Sequence, residues 1–170
     1  MNFKITVQDE VDQDIEGISL LTQTAFKEVE ISRNTEHFII SHMRRTGALK
    51  VSLVAKTNDQ LLGHIAFSPI QIDGQDSDWF ALGPISVLPE LQRTGIGSML
   101  VKAGLNRLKQ MKAGGCVLVG SPDYYKRFGF LHDTRLEYPD VPREFFLTYP
   151  IGVNHPSGVV TLNEGYWATN

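Results

Sequence analysis

The sequence predicts an α/β fold with a mixed central β-sheet flanked by α-helices. Three observations carry that reading. Strand-like segments lie on both sides of a strong amphipathic helix that begins at Gly95. A short, continuously apolar run from Cys116 to Val119 reads as a strand covered on both faces. No internal repeat, low-complexity stretch or Pro/Ser-rich linker divides the 170 residues, so one domain over 1–170 is expected.

The elements follow in chain order. Phe3, Ile5 and Val7 alternate with polar neighbours and share one face of a first strand. Asp12 to Phe26 reads as a helix, with Ile15, Ile18, Leu21 and Ala25 at helical spacing. Asn34 can cap a second helix that runs to about Arg45, with basic residues in its last turn. Leu49–Lys56 and Leu61–Ile72 then read as a hairpin about Thr57-Asn58-Asp59-Gln60. Asp73 to Asp78 is a polar loop, and Trp79 to Val87 another strand. Pro89 ends it, because its ring fixes φ and removes a donor. The helix from Gly95 to about Met111 sets Ile96, Met99, Leu100, Ala103 and Leu108 on one stripe, and Gly114-Gly115 stops it. After the Cys116–Val119 strand come a helical turn at Pro122–Arg127 and two strands near Phe145–Tyr149 and Gly158–Leu162.

Composition narrows the function classes. The apolar and charged fractions, 42% and 21%, are those of a globular chain rather than a disordered one. The net charge is −3 and no basic run exceeds Arg44-Arg45, so no nucleic-acid partner is expected. No apolar stretch approaches the roughly 18 residues of a membrane span, and the amino terminus lacks the pattern of a signal peptide. The single Cys116 allows no intramolecular disulfide and no zinc spacing. A cytoplasmic protein with no metal and no membrane partner is the expectation.

The informative segment is Val87 to Ser98, where a strand ends, a glycine-bearing turn follows and a long helix starts. The first N–H groups of a helix lack intrahelical partners and point outward at its positive dipole end, a ready phosphate site where the backbone is accessible. Gly95 and Gly97 leave that approach open. With 15 glycines in 170 residues, about one Gly-x-Gly arises by chance, so the strand-to-helix setting carries more weight than the pair itself. A plain tight turn is the structural alternative. A Walker loop would end in Gly-Lys-Ser/Thr, and a dinucleotide fingerprint would need a third glycine near Leu100; neither is present.

Gln92-Arg93-Thr94-Gly95-Ile96-Gly97 resembles the Gln/Arg-x-x-Gly-x-Gly/Ala signature of the GNAT acetyltransferases. Tyr125-Lys126-Arg127-Phe128-Gly129-Phe130 resembles that family's Tyr-x-x-x-Gly-Phe ending, and the two motifs span roughly Trp79 to Phe130. The segment from Gly120 to Phe130 is also similar to a compact bacterial branch of mostly predicted enzymes. The resemblance implies a GNAT fold and acetyl-CoA as co-substrate. It implies that backbone groups of Ile85, Ser86 and Val87 hold the pantetheine arm, and that Arg93, Thr94, Gly95, Ile96, Gly97 and Ser98 cradle the pyrophosphate. It gives Tyr125 the role of protonating the departing thiolate, against packing on the cofactor alone, while Tyr124 reads as core. An asparagine often found on that side in the family is replaced by Gly120-Ser121-Pro122.

The implied acceptor is an amine: a small molecule, a peptide terminus or a lysine side chain. An amine of pKa near 10.4 is mostly protonated at neutral pH, so direct transfer needs a base, a water chain or a less basic acceptor. Glu36 on the second helix is the leading candidate, with a solvated helix carboxylate as its plain alternative. His37 and His42 on the same helix can act as well as cap or pack, His155 can line the acceptor cleft or simply stand exposed, and His64 reads as structural and Cys116 as core. A non-catalytic acetyl-CoA sensor and an enzyme using another acyl-CoA are the competing functions, and a homodimer is compatible with the apolar carboxy-terminal strands.

Overall fold

The computed structural model describes residues 4–170, so the Phe3 end of the first expected strand lies outside the described residues. Eight strands form among them: β1 (Thr6–Asp9), β2 (Val51–Thr57), β3 (Gln60–Ile72), β4 (Gln75–Val87), β5 (Gly115–Val119), β6 (Leu136–Glu137), β7 (Phe146–Pro150) and β8 (Gly158–Thr161). Four helices accompany them: α1 (Ile15–Phe26), α2 (Glu36–Thr46), α3 (Ile96–Gln110) and the single turn α4 (Pro122–Tyr125). The main sheet runs β1-β2-β3-β4-β5-β7, and β8 joins β3 to the short β6. Neighbours are antiparallel except β4 with β5 and β6 with β8. The expected mixed α/β sheet is therefore present.

Two tight hairpins organise its centre. Asn58 and Asp59 both adopt positive φ (46° and 66°), as do Asp73 and Gly74 (51° and 74°). Paired left-handed residues make the turn whose twist matches that of the flanking strands, and Asp-Gly is a strong signal for it. Asp73–Asp78 is consequently not a six-residue loop: it turns in two residues, and β4 starts at Gln75 rather than Trp79.

Helix boundaries show similar corrections. The cap of α2 is Thr35, while Asn34 sits before it with φ 58° and donates its N–H to Ser32 Oγ at 2.9 Å. The α2 carboxy end closes on Gly47 at φ 80°, whose N–H reaches the Arg44 and Met43 carbonyls. On α3 the buried stripe is Ile96, Leu100, Val101, Gly104, Leu105 and Leu108, with Met99 turned outward. Gly114 and Gly115 do not end that helix, since the left-handed residue there is Lys112. They are small because the Trp79 indole lies against them: a Cβ on Gly115 would stand 2.5 Å from its ring.

The main core lies between α3 and the sheet, built from Phe67, Ile65, Leu100, Val101, Leu108, Cys116 and Phe130. On the opposite face α1 and α2 cover Val54 and Ala66 through Ile18, Ile40, Ile39 and Met43. Burying two sheet faces under helices confines the open chemistry to the sheet's interrupted centre.

Candidate active site

The interruption arises between β4 and β5. Their parallel pairing covers only Trp79↔Gly115, Phe80↔Cys116 and Ala81↔Val117. On the other side of β4, Ile85 pairs with Ile65 and Leu82 with Phe67, so β4 carries one more residue than β3 over this stretch. Such a bulge bends a strand locally. Here it falls at Gly83-Pro84, and from Leu82 onward β4 and β5 have no register in common. The Leu82–Val87 edge is thus left without a strand partner on the β5 side.

A cleft of about 690 Å³ fills the gap. Its floor includes Leu82, Gly83 and Ile85 from β4 and Leu118 and Val119 from β5. Tyr125 and Glu36 both line it. The expected pair of catalytic candidates therefore shares one cavity with Ile85. Ser86 does not face it: that side chain is 2% exposed, pairs in register with His64, and its hydroxyl has no partner among the described residues.

Tyr125 is held by aromatic contacts. Its ring lies 4.9 Å from Tyr124 and 6.0 Å from Phe130, both edge-on. Gly120 has to be small here, because a Cβ would come within 2.6 Å of the Tyr125 ring. Burial, reinforced by the neighbouring Tyr124, pushes the Tyr125 phenol up to about 12, so it stays protonated across neutral pH. Tyr124 is not core: it is half-buried with Arg127 4.6 Å over its ring, and its hydroxyl stands 3.1 Å from where a Gly97 Cβ would be.

Glu36 opens α2, where a negative charge complements the helix dipole. Ser32 Oγ donates to its Oε1 at 2.5 Å. Its Oε2 is buried without a hydrogen-bond partner among the described residues. A carboxylate oxygen buried in that state has an unmet need for a donor or a cation.

Beyond the far end of β4 lies the glycine turn. Arg93 (φ 63°) and Gly95 (φ 98°) are left-handed, Gln92 Nε2 donates to the Val87 carbonyl at 3.2 Å, and Thr94 Oγ1 donates to the Leu91 carbonyl at 2.5 Å. The α3 start has no side-chain cap, and a Cβ at Gly95 would meet nothing within 4 Å. Outward N–H groups at a helix start with open space before them fit a pyrophosphate. The residues from Arg93 to Ser98 gather there, one strand's run from the cleft, so the two groups of expected residues mark the ends of one path along β4.

The sequence reading did not anticipate the turn that follows the last strand. A 3-10 turn at Glu164–Trp167, capped by Asn163 Oδ1 accepting from Gly165 N at 2.9 Å, packs against α2. A Cβ on Gly165 would lie 2.8 Å from Met43 Cγ, so only glycine allows that approach. It carries Tyr166 and Trp167 into the cleft, and the Tyr166 hydroxyl donates to the Gly83 carbonyl at 2.9 Å. No local pattern signals this contact between residues 83 positions apart.

The histidines stand away from the cleft. His64 is fully buried in the sheet, with Nε2 2.7 Å from Ser52 Oγ and Nδ1 without a partner, so it is only half satisfied. His42 lies 3.4 Å from Glu164 on the surface, His37 stacks on Phe38, and His155 is exposed. Cys116 is fully buried and its thiol is pushed up by burial, as a core residue's would be. Among the described residues no helix is long and apolar enough to cross a membrane.

Known proteins share this fold. A GNAT-family acetyltransferase from Brucella melitensis, crystallised with acetyl-CoA, superposes with a TM-score of 0.87 at 38% identity, covering 97% of this chain and 99% of that one. The GNAT N-acetyltransferase YhbS of Escherichia coli, crystallised with CoA, gives a TM-score of 0.87 at 26% identity over 100% of this chain and 96% of that one. In sequence, the uncharacterized N-acetyltransferase YhbS of Escherichia coli strain K12 is 30% identical over 144 residues, 82% of this chain and 83% of its own. The profile of the acetyltransferase (GNAT) family matches residues 17–130, which include both ends of the β4 path. The chain belongs to the acetyltransferase (GNAT) family.

Proposed function

We propose that this protein is an N-acetyltransferase that binds acetyl-CoA along β4 and passes the acetyl group directly to a primary amine. The observation that carries the reading is the early end of the β4–β5 pairing, which opens a cleft lined by Tyr125 and Glu36 at one end of an exposed strand edge, with the uncapped α3 start at the other. The acetyl-CoA and CoA held by the two structural relatives support the choice of co-substrate.

In this reading the amides of Arg93, Thr94, Gly95, Ile96, Gly97 and Ser98 receive the pyrophosphate, and the Ile85–Val87 backbone pairs with the pantetheine arm as an added strand. Antiparallel strands rise about 3.4 Å per residue, so the arm reaches back along β4 toward Gly83 and the cleft. The Glu36 carboxylate accepts the ammonium and then its proton, which leaves nitrogen a free lone pair. That lone pair forms the new C–N bond at the thioester carbonyl, the C–S bond breaks and Tyr125 gives its proton to the leaving sulfur. The nitrogen then loses its second proton to the Tyr125 phenolate, and Glu36 releases the first to solvent. The raised phenol keeps its own proton in place until a thiolate develops.

Tyr125→Phe tests the assignment. Losing a positioned general acid lowers kcat by about 10²-fold or more, while the acetyl-CoA Kd from calorimetry stays unchanged. Equal kcat in the two proteins removes Tyr125 from the mechanism.

A further inference from the structure

The cleft's lining narrows the acceptor class, an inference that rests on the N-acetyltransferase reading. Glu36 and Arg33 are the only charged side chains among the described residues that line it. Of the Glu36 carboxylate, one oxygen is taken by Ser32 and the other is buried and unpartnered. The site therefore offers a counter-charge to one ammonium group and no second carboxylate to another. A polyamine or an aminoglycoside would bring further cations near Arg33 with nothing to pair them, and an unpaired charge in a confined site is strongly disfavoured.

The rest of the wall is apolar and aromatic. Tyr138 and Phe146 pack together with ring centroids 5.6 Å apart, and Leu162, Val141 and Trp167 also line the cleft. At the mouth, Ile31 and Trp167 are 93% and 60% exposed, large apolar side chains left uncovered beside the one carboxylate. Exposed apolar surface concentrated at a cleft points to an apolar ligand body. The Tyr166 hydroxyl is already committed to the Gly83 carbonyl, which removes one of the groups that a polyhydroxylated acceptor would need. A cavity of about 690 Å³ that also receives the thioester end leaves room for a small molecule.

We propose that the acceptor is a small arylalkyl monoamine, its ammonium on Glu36 and its aromatic body against the apolar lining that includes Tyr138, Leu162 and Trp167. Trp167 is then a specificity-determining residue, and Tyr166 a positioning residue that holds the β4 bulge at Gly83.

The test measures CoA thiol release by the full chain with acetyl-CoA and, separately, phenethylamine, tryptamine, propylamine, spermidine and a lysine-containing peptide. The expected kcat/KM for phenethylamine or tryptamine exceeds that for propylamine and spermidine by about tenfold or more, the effect of one further good contact. Glu36→Gln raises the KM for phenethylamine by about tenfold or more with the acetyl-CoA Kd unchanged, and Trp167→Ala abolishes the preference for phenethylamine over propylamine. Melting temperatures confirm that both variants fold. Preference for spermidine or the peptide overturns the acceptor class while leaving the transferase reading intact. Acetyl-CoA binding with no amine accepted also overturns it, and absence of acetyl-CoA binding removes the reading on which it stands.

Discussion

Replacing Gly95 separates a charge effect from a backbone effect at the phosphate cradle. Gly95 holds φ 98°, and a Cβ there meets nothing within 4 Å. Gly95→Ala therefore strains the backbone by about 1–2 kcal/mol without blocking the cradle, and the expected loss of melting temperature is roughly 2–8 °C for a chain of this size. Gly95→Glu carries the same strain and adds a carboxylate beside the amides. One such charge about 5 Å from a phosphate charge repels it by about 3 kcal/mol at an effective dielectric of about 20, on the order of a hundredfold in Kd. Calorimetric titration with acetyl-CoA reads the affinity, and thermal melts read the strain. The account expects both variants to melt alike while only Gly95→Glu loses acetyl-CoA. Equal affinity of the alanine and glutamate variants would mean that no phosphate sits at the α3 start, and the argument from its open N–H groups would be refuted.

Two further predictions concern stability. Burial, with the charge of Arg44 adding to it, depresses His64 to about 3 from 6.5. A depressed value means the native state favours neutral imidazole, so the stability this histidine contributes is complete above pH 6.5 and is lost as pH falls from 6.5 toward 3. Between pH 7.5 and 5 that loss is about 2 kcal/mol, or roughly 4–8 °C in melting temperature, and His64→Gln should flatten this part of the curve; an unchanged slope in the variant would assign the acid sensitivity to other groups. Gly104→Ala sets two effects against each other. Alanine gains about 1 kcal/mol of helix propensity, but its Cβ would lie 2.3 Å from two carbons of the Phe67 ring, which is itself fully buried. Overpacking a rigid core costs about 1–3 kcal/mol, so a net fall in melting temperature is expected, and a rise would show that Phe67 can move aside.

Much of this was legible in the sequence because it is local. The change from strand to helix around Gly95, the outward N–H groups that follow it and the Tyr125 motif all depend on residues within a few positions of one another. The structure gathers Ile85 and Tyr125, which the resemblance named, and Glu36, the candidate base, about one cleft. Local signals were also misread: Asp73-Gly74 makes the two-residue turn that its residue types favour, not the opening of a longer loop. Gly114 and Gly115 answer to the Trp79 indole, a partner on another strand that no reading of helix endings takes into account. What was not legible depends on distant contacts. Trp167 and Tyr166 reach the cleft only because Gly165 lets the final turn close on Met43, and the two-residue β6 is defined by its pairing with β8 alone. Those same carboxy-terminal segments line the cleft proposed to receive the acceptor, so the acceptor was the part of the function that periodicity and motifs could least reveal.

The central claim is direct transfer from acetyl-CoA to an amine within the β4–β5 cleft. Its most direct test is a rapid-quench experiment with acetyl-labelled acetyl-CoA, followed by intact-protein mass spectrometry before and after phenethylamine is added. The account predicts no acetylated protein in the absence of amine and, after its addition, free CoA and N-acetyl product in a one-to-one ratio. An acetylated enzyme that forms without amine and is consumed when amine arrives would contradict it.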